Sequence, residues 1–476
     1  MSIKKFIASK DTTITDAYKE DYRSRAINSN IGAADSLEVF SIYGQVTTSS
    51  LEKSRILVEF PISQILSDRQ SGKLPASGSV NYFLKLTNVV HPFSVPRQFK
   101  MTINPITKYW EEGYGLDMEG YTDDGFKENI GGNGATWVMA SSGTYWDTQG
   151  GDYLTSSQYT LTSSFETGLE NIELDITEIT ERWLSSVIPN YGFIIKLSSS
   201  YEDGSTLQSF YTKKFSARGS QFFYSRPAIE ARWNPAVTDD RNSFYASSSL
   251  LSADDNKMNL YFYNKVNGAS KNIVNNPTAT VKFYSNSSLS NEIIPSYLSV
   301  TNPFPGVYKA QVAINTTASI LYDKWVDASN ITDKFFSSSF DVLQRENDIV
   351  SDVPQYIINI TNMKSSYFQN ENTRFNIFVR ERDWQPNIYT VAYNNIENII
   401  IPNLYYKIFR FNDNYTVIDY STGSLAYTKT SYDSNGNYFD LDMNILEKDY
   451  GYAIKLATWD GVQLQEFKDI FKFRVE

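Results

Sequence analysis

The chain has no cysteine and a single histidine among its 476 residues. Without thiols there are no disulfides, no thiolate zinc sites and no cysteine nucleophile, although an exported chain can lack them too, so the compartment stays open. The lone His91, followed by Pro92, cannot build a histidine metal site and reads as a loop or strand-end residue. Basic stretches are missing as well. The 43 Lys plus Arg are dispersed among 54 Asp plus Glu, giving a net charge of -11. No positive stripe can neutralise a phosphate backbone, so nucleic-acid binding is not expected. No run approaches the roughly 18 apolar residues of a membrane span. Phe6-Ile7-Ala8 is the only apolar run near the start, too short for a signal-peptide core. Gly-x-Ser-x-Gly, Walker and dinucleotide fingerprints are all absent, so catalysis is not expected.

What the chain has is aromatic residues, 15% of the total with Tyr 34 and Phe 29, separated by Ser, Thr and Asn. Tyr and Phe suit a half-buried pleated surface, and period-two alternation predicts strands. It is clear in Met258, Leu260 and Phe262, in Phe375, Ile377 and Val379, and in Phe471, Phe473 and Val475. Asn435-Gly436, between Tyr432-Asp433 and Tyr438-Phe439, predicts a tight hairpin, because such a turn needs residues that tolerate positive φ. The clearest helix is Asp175–Leu184, with Asp175 and Glu178 spaced as a capping box and Ile176, Ile179 and Trp183 on one face.

The length predicts several domains. Asn234-Pro235 breaks the first β-rich stretch, giving units at 1–233, 234–333 and 334–476. The second carries Gly306-Val307-Tyr308-Lys309-Ala310-Gln311-Val312, similar to a strand of bacterial immunoglobulin-like modules, and about 100 residues suits a sandwich. Tyr191–Leu197 and Tyr450–Leu456 echo one another, as related sandwiches or simply as two buried strands of ordinary composition. The expected fold is all-β, a tandem of β-sandwiches.

Candidate contact residues gather in one region. Tyr109, Trp110, Tyr114, Tyr145 and Trp146 lie among glycines and acids; exposed aromatic faces there would stack on sugar rings or anchor an interface, whereas buried ones would simply fill the core, and the sequence leaves Trp110 and Trp146 open between the two. Trp137, inside an apolar stretch, reads as core. Glu111, Asp117 and Asp123 belong to glycine-separated acids that could gather around Ca²⁺, although a solvated loop is the simpler reading. No other cofactor is expected.

Several pieces fall in the order of one family. Ser54-Arg55-Ile56-Leu57-Val58-Glu59-Phe60, Tyr109-Trp110-Glu111-Glu112-Gly113, Gly134-Ala135-Thr136-Trp137, Leu174-Asp175-Ile176-Thr177 and Tyr191-Gly192-Phe193 resemble the DNRLRE-type carbohydrate-binding-module-like jelly roll. The stretch Tyr211–Arg218 leading to Arg226-Pro227-Ala228-Ile229-Glu230-Ala231-Arg232-Trp233 is similar to the form found in virion structural proteins of tailed bacteriophages. The resemblance implies an N-terminal jelly roll, and the strand patterns after it predict two immunoglobulin-like or related sandwiches. It also implies a non-enzymatic, multi-copy virion component of tail, baseplate, neck or capsid, assembled in host cytoplasm and docked to other virion proteins. The alternative is a glycan-binding adhesin or receptor-binding protein that uses the jelly roll on surface polysaccharide.

Overall fold

The computed structural model describes residues 2–18, 23–44, 50–92, 95–116, 134–273, 279–328, 334–343, 355–382 and 398–476. The chain divides into two compact units, one of Ile3–Arg232, the other of Trp233–Glu476 with Ser2. Both are built almost wholly from antiparallel sheets, so the protein is an all-β tandem of sandwiches.

In the first unit, one sheet holds β1 (Ile3–Ile7), β5 (Asn81–Leu86), β10 (Ile172–Asp175) and β13 (Ala228–Arg232), in the order β1-β13-β5-β10. The second sheet holds β2 (Lys10–Thr15), β3 (Ser36–Tyr43), β4 (Leu51–Glu59), β6 (Phe99–Pro105), β9 (Leu161–Phe165), β11 (Phe193–Leu197) and β12 (Phe210–Ser216). Its order is β12-β3-β4-β11-β6-β9, with β2 along β4. A small hairpin, β7 (Met139–Ser141) and β8 (Thr144–Tyr145), lies between β6 and β9 in the chain. Strands covered on both faces read as continuous apolar runs, and Ile56-Leu57-Val58 and Phe193-Ile194-Ile195 are all fully buried. One-sided β5 instead alternates, with Tyr82, Leu84 and Leu86 inward.

Helix α1 (Ile62–Gln70) follows Pro61, and α2 (Thr177–Leu184) is the expected helix. The Asp175 carboxylate takes the Thr177 amide at 2.8 Å, while Ile176, Ile179 and Trp183 are buried. Arg69 of α1 joins the two helices by a paired contact to Glu181.

The second unit contains two sheet sets. The first comprises β14 (Phe244–Tyr245), β15 (Met258–Tyr263), β16 (Lys265–Val266), β17 (Ala269–Ser270), β18 (Ala279–Tyr284), β19 (Glu292–Ile293), β20 (Tyr297–Phe304), β21 (Val307–Ala313), β22 (Ile320–Asp327) and β23 (Lys334–Leu343). Sheets β14-β23-β22-β18-β19 and β15-β21-β20 enclose Leu260, Phe262, Tyr308, Ala310, Val312 and Trp325. Because β23 pairs with β22, this set runs through Leu343, past the boundary at 333 that the sequence suggested.

The second set comprises β24 (Tyr356–Ile360), β25 (Ser366–Tyr367), β26 (Asn372–Glu381), β27 (Leu404–Arg410), β28 (Thr416–Ile418), β29 (Ser431–Asp433), β30 (Gly436–Asp442), β31 (Gly451–Trp459), β32 (Leu464–Glu466) and β33 (Phe471–Val475). Its sheets are β24-β26-β30-β29 and β25-β33-β31-β27-β28. The expected hairpin joins β29 to β30, one residue earlier than the Asn-Gly pair suggested. Asp433 pairs with Gly436, so Ser434 and Asn435 make the turn and Gly436, at φ 122°, opens the strand.

Segment 237–242 ties these two sets together. Thr238 bridges Tyr432, the Val237 amide donates to Ser431 Oγ at 3.0 Å, and Tyr432 donates to Asp240 at 2.8 Å. Arg241 reaches the other set, binding Asp239 at 2.6 Å, Asp323 at 2.7 Å and the Tyr261 carbonyl at 2.7 Å. Asp323 is fully buried, and burial pushes the Asp239 carboxyl up to about 6 despite the guanidinium beside it. Removing the cation strands two carboxylates in the interior. Arg241→Met should therefore destabilise the second unit by about 3–5 kcal/mol, measured by urea denaturation followed through tryptophan fluorescence.

Candidate functional site

The candidate aromatics sit on two loops of the first unit, the one after β6 and the one that carries the β7–β8 hairpin. The loops are pinned to each other by Glu111 N–H to Ala140 O at 3.0 Å and Ala135 N–H to Glu111 O at 2.6 Å. Asn30 is the main anchor. Its Nδ2 donates to the carbonyls of Glu112 (2.9 Å) and Ala135 (2.8 Å), and its Oδ1 accepts the amides of Gly32 (3.2 Å) and Gly115 (3.0 Å). Gly115 allows this approach, since a Cβ there would lie 1.5 Å from the Asn30 carbonyl oxygen.

The five aromatics divide sharply. Trp110 is 0% exposed and Trp146 5%, whereas Tyr109 is 51%, Tyr114 63% and Tyr145 65% exposed. Both indole N–H groups are satisfied internally, Trp110 by the Tyr191 carbonyl at 2.8 Å and Trp146 by the Thr136 carbonyl at 2.9 Å. Together with Trp137, which is core as expected, they pack among Ile14, Leu57, Ile106 and Ile194. Trp110 and Trp146, candidate contacts left open by the sequence, are thus core and not contact residues: an indole that has lost water must both bury its rings and pair its N–H, and these two do so under the loops. The three tyrosines are the outward residues.

Around them the structure gathers charges that sequence spacing did not reveal. Lys10 Nζ lies 4.6 Å from the Tyr109 ring centre, bound to Glu59 at 3.0 Å and to the Trp110 carbonyl at 3.3 Å. Lys108 binds the Tyr145 carbonyl at 2.9 Å and Asp147 at 2.6 Å, and that carboxylate holds the ammonium above its usual range. Arg218 clasps Glu112 through Nε at 2.6 Å, and Glu112 also accepts the Asp11 amide at 2.9 Å. Lys10 and Asp11 arrive from β2, about 100 positions before Tyr109 in the chain, so only the register of β2 on β4 places them here. Arg218 follows β12, and nothing in its local sequence marks it for this contact.

Asp11 is the unusual member. It is almost fully buried and accepts the Arg218 amide at 2.6 Å. Burial raises its carboxyl to about 7, opposed by that amide and aided by the neighbouring Glu112 charge. Glu111 is half-buried, while Asp117 and Asp123, its expected companions at a calcium site, lie outside the described residues. His91 sits in the loop between β5 and β6, within the loop or strand-end reading, with Nε2 3.2 Å from the Thr212 carbonyl. Chemically the arrangement is a rigid contact surface of tyrosine rings flanked by lysine, arginine and carboxylates.

No family model matches the chain, and no curated protein matches it. Among solved structures, a titin fragment is 11% identical with a TM-score of 0.15, covering 51% of this chain and 97% of its own. The adhesin InvE of Yersinia pseudotuberculosis is 10% identical with a TM-score of 0.15, covering 46% and 54%. A marsupial T cell receptor is 9% identical with a TM-score of 0.16, covering 46% and 68%. Likeness at this level carries no argument.

A pH dependence follows from Asp11. The folded protein holds the Asp11 proton to higher pH than the unfolded chain does, so this group favours folding most strongly below the ordinary carboxylate range and loses that contribution as pH rises through about 7. Thermal melts should show the first unit losing on the order of 2 kcal/mol between about pH 5 and pH 8. Asp11→Asn, which keeps an acceptor for the Arg218 amide without the charge, should flatten that slope.

Proposed function

We propose that the chain is a non-enzymatic structural component of a tailed-bacteriophage virion that works by docking to other virion proteins. The observation that carries this reading is the outward set of Tyr109, Tyr114 and Tyr145 on loops clamped from beneath by Asn30. Tyrosine offers a large, stiff contact area at small entropic cost, and a pre-anchored loop loses little freedom on binding. The sequence resemblance of residues 54–233 to the jelly roll of phage virion proteins supports the same reading. The immunoglobulin-like pattern around Tyr308, whose side chain packs inward with Ala310 and Val312, supports it further. In this reading the protein is present in many copies and reaches the outside as part of the particle.

A second reading rests on the setting of the same tyrosines. Carboxylates of Asp147 and Glu112 beside exposed rings also suit a sugar, whose ring stacks while its hydroxyls donate to acids.

The readings separate experimentally. Mass spectrometry of purified particles should detect the chain, and its absence would reject the first reading. In particles assembled with Tyr109→Ala/Tyr145→Ala, occupancy should fall by about tenfold or more, while the purified variant keeps its melting temperature. A glycan array run with and without chelator should stay blank; specific binding lost in that variant would favour the second reading.

A further inference from the structure

The fully buried Lys213 has no access to any outside substrate, yet its surroundings suit a reaction. It lies on β12, where the chain beyond β5 runs alongside. Asn88 bridges Phe215, the Ser216 amide donates to the Thr87 carbonyl at 3.0 Å, and the Val89 amide to the Lys214 carbonyl at 3.0 Å. Lys213 and Asn88 are therefore diagonal neighbours across this antiparallel pair. Lys213 Nζ donates to the Asn88 side-chain oxygen, to the Gly168 carbonyl at 2.7 Å and to the Glu170 carbonyl at 3.0 Å. The rings of Phe215 and Phe165, both buried, stand 5.0 Å and 5.2 Å away. All three acceptors are neutral. A buried ammonium held only by neutral acceptors is costly, and burial brings Lys213 down to about 8, so a share of it is the neutral amine near physiological pH.

The Glu170 carboxylate acts on Lys213 only through its charge, which opposes the drop. Its Oε1 accepts the amides of Thr167 (2.7 Å) and Glu166 (3.1 Å), whereas Oε2 is buried and has no hydrogen-bond partner. Burial pushes this carboxyl up, but the hydrogen bonds from Thr167 and Glu166 outweigh it and bring it down to about 2, so it stays ionised.

We propose that Lys213 and Asn88 form an intramolecular isopeptide bond. The lone pair of the neutral Lys213 Nζ forms a bond to Asn88 Cγ. The tetrahedral centre collapses, the Cγ–Nδ2 bond breaks with its electron pair on nitrogen, and the departing nitrogen takes one proton from Nζ. The leaving group is ammonia. No oxidant or cofactor takes part. The product is a neutral amide that keeps the aromatic pocket and removes the buried charge. It also ties β12, an edge strand of one sheet, to the end of β5 in the other, closing a loop between positions 125 apart.

Intact-mass measurement of the purified full-length protein tests this. The expected mass is below that of the sequence by one ammonia, and a digest should give a branched peptide joining Lys213 to Asn88. Lys213→Arg and Asn88→Ala should each restore the unreacted mass, and Asn88→Ala should melt on the order of 10 °C lower. A wild-type mass equal to that of the sequence, or loss of ammonia without a branched peptide, would overturn the bond itself.

Discussion

Irregular backbone can be packed against a sheet only if each buried amide and carbonyl finds a partner, and the first unit depends on meeting that requirement beneath its long loops. Asn30 does so with a single side chain, placing two donors and one shared acceptor against four main-chain groups. The indoles of Trp110 and Trp146 satisfy two more carbonyls while filling the space between loop and sheet. The outward tyrosines are consequences of this. With the tryptophans committed inward, the loop surface is left to Tyr109, Tyr114 and Tyr145, on a base that does not need to be ordered by a partner.

The same unit shows two ways of holding a cation in its interior. Arg55 forms a paired contact with Glu202 at 3.2 and 2.7 Å, gives a third bond to the Gly150 carbonyl at 2.7 Å, and stacks 5.0 Å from Trp137. Its charge is matched and its planar fork is used fully. Lys213 has no such counter-ion in direct contact and relies on dipoles and rings. The contrast marks the first as an architectural pair and the second as a group whose charge the fold leaves poorly compensated.

Much of the architecture was legible because one-sided strands announce themselves by alternation. Thr373, Phe375, Ile377 and Val379 turn inward along β26, as period two requires. The alternation failed in β15, where Tyr261 is buried along with Leu260 and Phe262, because segment 238–241 covers the other face and Arg241 holds the Tyr261 carbonyl. The fate of the tryptophans was not legible, since their burial depends on loop crossings and the partner of Trp110 is 81 positions away. Lys10 and Asp11 were equally hidden, because strand register and not local pattern carries them to the site. The end of the first sheet set of the second unit was missed for a similar reason: nothing local to Lys334–Leu343 says which strand it will join.

Segment 237–242 has a mechanical meaning. Chain leaving Trp233 is hydrogen-bonded to β29 through Val237 and Thr238 and locked by Arg241 to Asp323 before it enters β14. Tension applied at the start of this unit would load those bonds in parallel, as shear across a short ladder, instead of peeling one set of sheets away from the other. A tether anchored in this manner is stiff at small extension and yields abruptly.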